Sequence, residues 1–243
     1  MNELILLMGI FIAAGVVKGV TGMGLPTVAM GLLSLMMPLP VAAALLVLPS
    51  FITNIWQLFS GPSLRQIVRR LWPMMVGIVP ATVAGSALLI GAGQWATAGL
   101  GAALLVYASY ALLAPALTVP ARAEAWLSPL TGAITGVVTG ATGVFVMPSV
   151  PYLQALSMSK DELVQALGLS FTLSTVALAC GLAAHNAFAM AQLNQSLLAI
   201  VPALLGMWLG QKIRSRLSAT RFRLCFLLFL LGLGAELASR PFI

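Results

Sequence analysis

Charge is the scarcest commodity in this sequence. Of its 243 residues 7% are charged and five are acidic, whereas roughly 25% of an ordinary soluble domain is charged. Together with 60% hydrophobic residues and a mean hydropathy of +1.06, this excludes a water-soluble domain. Histidine occurs once, at His185, and cysteine twice, at Cys180 and Cys225 in separate apolar runs. A zinc cluster or a disulfide framework has no basis in such spacing, and each cysteine reads as a small buried hydrophobe. A zinc protease would need a histidine pair with a glutamate, and a serine protease a base beside its nucleophile. Neither set can be assembled here. No nucleotide-binding loop is present, and no cofactor or metal is expected. The first apolar segment has Glu3 where a secretory leader carries basic residues, and no small-residue cleavage site follows, so it reads as retained structure.

What the sequence does contain is long apolar runs, at 3–22, 41–59, 71–91, 95–114, 163–184, 196–211 and 222–238. Each has about the length that crosses a ~30 Å hydrocarbon core as a helix. Lipid cannot hydrogen-bond an open backbone, so the fold class is an all-α polytopic membrane protein. The connections are too short for a soluble domain, and 1–243 is a single membrane domain. The net charge of +7 does not point to nucleic acid. Its basic residues sit beside helices, Arg65, Arg69 and Arg70 in one cluster and Lys212, Arg214, Arg216, Arg221 and Arg223 in another. That is the signature of cytoplasmic connections. Trp56, Trp72, Trp95, Trp126 and Trp208 lie near segment ends and fit an interfacial belt.

The chain also repeats itself. GVVKGVTG at 15–22 returns as GVVTGATG at 136–143, an offset of 121 residues. Pro26 answers to Pro148, Ser50-Phe51 to Ser170-Phe171 and Pro80-Ala81 to Pro202-Ala203 within one residue of that shift. Repeat one is 1–114, a linker covers 115–125, and repeat two is 126–243. Each holds about five hydrophobic segments. The second of them, 25–37 in one half and 144–156 in the other, is too short for a comfortable span and reads as a broken helix or a hairpin. The connection at 60–70 carries three arginines while its counterpart at 185–195 carries none, and the reverse holds for 212–223 against 91–95. Opposite basic content at corresponding places predicts inverted-topology repeats. The connections at 60–70, 115–125, 157–162 and 212–221 are then inside and both termini outside. This parity is the same for full spans and for re-entrant pairs.

Short segments interrupted by glycine and proline at matching places point to a transporter's substrate site at the repeat interface. A helix that ends at glycine and restarts beyond it frees backbone N–H groups whose partial positive charge suits an anion. Lys18, Thr21, Gly22 and Gly24 in one half and Thr139, Thr142 and Gly143 in the other are the candidate binding residues, Lys18 supplying a full charge. Lys18 can alternatively snorkel to the interface. Asn54 and Ser170 join the set from the third segment of each half, with Ser50, Thr53, Thr172 and Ser174 nearby. Gln165 is similar but closer to a connection. The Gly15/Gly19 and Gly132/Gly136/Gly140 spacings serve either close helix packing or the site. The five acidic residues all lie at segment ends or in connections, so a cation site has no carboxylates to build on. His185 falls at an outer helix end and reads as a solvated residue.

The stretches GVVKGVTGMGLPTVAM, GVVTGATGVFVMPSVPYL and PALLGMWLGQKIRSRLS resemble the paired signatures of the sulfite exporter TauE/SafE family of membrane permeases, along nearly the whole chain. The first copy carries TGMG where many relatives have a longer glycine run, which shifts backbone access toward the threonines. The resemblance implies a secondary transporter, an exporter of a small anion such as sulfite, a sulfonate or sulfoacetate, working by alternating access in a bacterial inner membrane. Its partners are then the anion and the bilayer, with no nucleic acid and with homo-oligomerisation left open. The alternative is an anion channel or a passive membrane subunit.

Overall fold

A computed structural model describes residues 2–114, 117–188, 190–214 and 218–242. Among them are ten α-helices and no strand: α1 Asn2–Thr21, α2 Leu25–Leu33, α3 Leu39–Leu58, α4 Leu64–Gly91, α5 Gln94–Leu113, α6 Ala121–Thr142, α7 Ser149–Ala155, α8 Lys160–Ala184, α9 Met190–Arg214 and α10 Ala219–Ser239. Seven of these, all but α2, α6 and α7, are long and apolar enough to cross a membrane, and they fall on the seven apolar runs. The chain is a multi-pass membrane protein. Helix α6 has a span's length too, at 22 residues, but buries Ser128, Thr131, Thr135 and Thr139 on one face. Arg216 of the second basic cluster and positions 115 and 116 of the linker lie outside the described residues.

The short second segments are shorter than expected. Helix α2 has nine residues and α7 seven, against thirteen expected for each. In the first half the chain turns at Ser34–Pro38 before α3 begins; in the second, Val144–Pro148 runs without helix, with a cis bond at Met147–Pro148. Nine residues of helix reach about 13 Å, less than half the ~30 Å core. Both α2 and α7 therefore stop short of a span.

The two copies of the repeat motif close their helices in the same way. Thr21 donates to the Val17 carbonyl and accepts from the Met23 amide, while Gly22 at φ 78° donates to the Lys18 carbonyl. Thr142 donates to the Val138 carbonyl and accepts from the Val144 amide, while Gly143 at φ 72° donates to the Thr139 carbonyl. Glycine is required at each, because an L side chain rarely adopts that left-handed conformation.

Packing is dominated by four helix pairs that cross between the halves. Helices α1 and α9 run parallel at backbone contact, Gly15 against Ala203 and Met207, Gly19 against Met207 and Gln211. Helices α4 and α6 do the same, with Gly132, Gly136 and Gly140 against Met74, Ile78 and Thr82 in turn. These glycines therefore serve close packing, where any Cβ would overlap a partner backbone. Two counterpart pairs run antiparallel. In α3 and α8, Asn54 faces Thr175 and Leu58 faces Gly168. In α5 and α10, Trp95 meets Phe242, Gly101 meets Gly234 and Ala238, and Ala111 meets Arg223. The α5/α10 pair touches the remaining helices far less than those helices touch one another, so a seam surrounds it.

One end of the bundle gathers the connections carrying the basic residues. Arg70 grips both oxygens of Glu124 at 2.7 and 2.8 Å and donates to the Leu156 carbonyl. Gln165 accepts from the Ser63 amide and donates to the Leu58 and Gly61 carbonyls, so it braces the α3–α4 turn. At the opposite end Arg240 donates to the Ser34 carbonyl. The five tryptophans are each at least half exposed, as an interfacial belt requires. Cys180 and Cys225 are also exposed, against the expected burial. They occupy outward faces, where lipid accepts a small apolar side chain as readily as a core does.

Candidate anion site

The site begins with a proline. Pro49, inside α3, has no N–H for the Leu45 carbonyl one turn earlier. The Ser196 hydroxyl of α9 supplies the missing donor at 2.7 Å and accepts from the Leu48 amide. One turn later Thr53 donates to the Pro49 carbonyl at 2.8 Å, which leaves its oxygen lone pairs free to accept. That acceptor, beside the Asn54 carbonyl, receives Lys18.

Lys18 lies in the last turn of α1 and is 2% exposed. It does not snorkel. Its ammonium donates to Thr53 Oγ1 at 3.1 Å and to Asn54 Oδ1. Asn54 Nδ2 in turn donates to Thr175 Oγ1 of α8 at 3.2 Å, and Thr175 donates to the Phe171 carbonyl at 2.7 Å. Every donor in this chain is directed away from the lysine. An ammonium has three N–H donors, and two of them are engaged. Among the described residues no carboxylate pairs with it: Glu124 and Glu236 pair with arginines, and Glu3, Asp161 and Glu162 stand in the first turns of α1 and α8. Taking such a charge out of water costs several kcal/mol unless it is paired.

Polar groups without partners surround the same two helices. Ser50 of α3 and Ser170 and Ser174 of α8 are wholly buried, and their hydroxyls have no hydrogen-bond partner among the described residues. Ser50 and Ser170 are counterparts in the repeat. Buried hydroxyls are normally satisfied. Ser50 and Ser170 lie on the two helices, α3 and α8, that carry the Asn54–Thr175 bond.

The other predicted residues divide. Asn54 is in direct contact with Lys18. Gly22 is next to it in the turn, and its carbonyl is held at 2.7 Å by Gln57 Nε2, which also donates to the Val164 carbonyl of α8. Thr21 is committed to its own helix end. Gly24 packs against Val17 and the Phe226 ring, and Gly143 against Met30, so apolar groups lie against both glycines. Thr139 donates to the Val144 carbonyl at 3.2 Å, and Thr142 closes α6. Neither these threonines nor Gly143 shares a hydrogen bond with the Lys18 chain. His185 caps α8 with a bond to the Gly181 carbonyl, away from the site.

Sequence reading missed Thr175 and Gln57. Thr175 has the same signal as its neighbour Ser174, a polar residue in an apolar run one turn beyond Ser170-Phe171. Gln57 stands one turn after Asn54 on the same helix face, a position that could have marked it.

No curated protein and no solved structure is significantly similar to the chain. One protein-family model, described as the sulfite exporter TauE/SafE, matches residues 7–237. A match over nearly the whole length, on a multi-pass helical bundle with the doubled glycine motif intact, makes this chain a member of the TauE/SafE family of membrane permeases.

Proposed function

We infer that this protein is a secondary transporter that exports a small anion, sulfite or a related organosulfur compound such as a sulfonate or sulfoacetate, with Lys18 as the charge that receives it. The observation carrying this reading is a wholly buried ammonium with three donors, two of them engaged and none paired with a carboxylate among the described residues. An anion completes its hydrogen bonds and cancels its charge in one step. Ser50 and Ser170 offer further hydroxyl donors from the two halves. The sealed position of Lys18 favours a carrier, since a channel needs a continuous polar path through the bundle.

The arrangement of the counterpart helices supports alternating access. Helices related by a twofold axis along the membrane normal run parallel, whereas an axis in the membrane plane makes them antiparallel. The antiparallel α3/α8 and α5/α10 pairs support inverted repeats divided near the 115–125 linker. The end that gathers Arg70 and the start of α10 is then cytoplasmic by its basic content, in a bacterial inner membrane. The sequence carries no nucleotide-binding loop, so ATP would have to come from a separate subunit. In the proposed cycle the anion's own gradient or the membrane potential is the driving force, with any proton coupling carried by Lys18 or the substrate.

An anion screen of the purified protein in nanodiscs tests the substrate class. Sulfite or a short sulfonate at a hundredfold excess over its Kd should stabilise the fold by about 2.7 kcal/mol, read as a rise in melting temperature. Acetate and lactate should give less. No stabilisation by any small anion would remove the site.

A further inference from the structure

A cavity of about 410 Å³ opens in the seam between the α5/α10 pair and the ends of α1 and α7. It lies at the end of the bundle that collects the basic connections. Arg223 of α10 lines it, its guanidinium held at the rim by a 3.0 Å bond from Nη2 to the Ala111 carbonyl. The other guanidinium N–H groups remain for a ligand. Arg214 at the end of α9 also borders the cavity, and among the described residues no acidic one lines it. Aromatic rings line it as well: Phe222 and Phe226, one turn apart on α10, with Tyr107 and Tyr110 of α5. An anion of four heavy atoms takes up roughly the space of two or three waters, on the order of 100 Å³ or less. The cavity is several times larger than sulfite needs, and four aromatic side chains, Tyr107, Tyr110, Phe222 and Phe226, are part of its lining.

Its floor is the glycine turn. Thr21 and Met23 line the cavity, and Met23 Sδ accepts from the Tyr107 hydroxyl at 3.4 Å. Gln57 holds the Gly22 carbonyl of the same turn beside the Lys18 chain. The turn therefore separates the cavity from the buried ammonium.

We propose that this cavity is a second anion site, an inner vestibule for an organic anion with an apolar body, in which Arg223 takes the acidic head group and the Phe222/Phe226/Tyr110 wall takes the body. It rests on the carrier reading only in treating the anion as cargo. Benzenesulfonate and sulfite, titrated into the full-length protein in nanodiscs, separate the two sites. Benzenesulfonate should bind the wild type and Lys18→Met alike, lose about 10- to 100-fold in affinity in Arg223→Gln as a charge-assisted bond is removed, and fail to bind Ala114→Trp, which fills the cavity. Sulfite affinity should be unchanged by Arg223→Gln and lost in Lys18→Met. Absence of benzenesulfonate binding to the wild type, equal binding to all variants, or loss only in Lys18→Met overturns the vestibule. Should sulfite bind Lys18→Met normally while benzenesulfonate still depends on Arg223, the Lys18 reading fails and the vestibule stands.

Discussion

Replacing Lys18 by methionine should abolish anion transport while the helix bundle stays folded. Truncating one partner of a buried hydrogen-bonded charge pair costs about 2–5 kcal/mol, so anion affinity should fall by roughly 30- to 5000-fold. Stability moves much less, and its sign is informative. Methionine fills nearly the same volume and removes the desolvation penalty of a buried ammonium. Against that gain, Thr53 Oγ1 and Asn54 Oδ1 lose a donor, at about 1–3 kcal/mol for each acceptor left dry. The two contributions oppose, and the melting temperature without anion should stay within a few degrees of the wild type. Sulfite should no longer raise it. A variant that unfolds outright would make Lys18 a structural residue, and one that transports normally would remove it from the path.

The second large effect is on folding. Leucine at Gly132 should leave little monodisperse protein after extraction, because a Cβ there overlaps the Met74 carbonyl oxygen and the α4 backbone behind it. Helices α4 and α6 would have to separate along the whole ladder that Gly132, Gly136 and Gly140 form. In a bilayer there is little hydrophobic force to restore that contact, since helix pairs are held by dispersion and close backbone approach. Overpacking costs about 1–3 kcal/mol in a core that can adjust, and backbone against backbone adjusts least. Gly132→Ala should fall in that range and Gly132→Leu beyond it. Gly9 and Gly232 provide the control, for nothing lies within 4 Å of a Cβ at either. Leucine there should be tolerated, and size-exclusion profiles of the four variants give the comparison. Equal profiles for Gly132→Leu and Gly232→Leu would contradict the packing account.

Much of this fold is legible in the sequence because the bilayer simplifies the problem. Seven apolar runs become seven candidate spans, since length and hydropathy alone decide what crosses. The doubled GVVxGxTG motif becomes a doubled helix end, because only glycine accepts the left-handed turn at Gly22 and Gly143. The pairing of α1 with α9 and of α4 with α6 is not legible. GxxxG spacing says that a helix has a close partner without saying which one, and these partners lie some 60 or 190 residues away along the chain. The same limit applies to the site. Lys18 and Asn54 stand out as polar residues in apolar runs, whereas Thr175 is one hydroxyl among several on α8 and is singled out only by the Asn54 amide that reaches it. The extent of α2 and α7 escaped for another reason: the apolar stretches at 25–37 and 144–156 extend beyond the helices. An apolar turn, exposed at Leu35 and Met36 after α2 and buried at Val144, Phe145 and Val146 before α7, has the same composition as the helix beside it.

In the proposed carrier a small anion crosses the membrane through the occluded site around Lys18. Sulfite counterflow into proteoliposomes reconstituted with the full chain tests it most directly. A carrier takes up labelled sulfite along a saturable curve and faster when the vesicles are preloaded with unlabelled sulfite, and Lys18→Met lowers that uptake to the level of protein-free vesicles. Uptake that rises linearly with concentration and ignores preloading, or that survives Lys18→Met, would contradict the account.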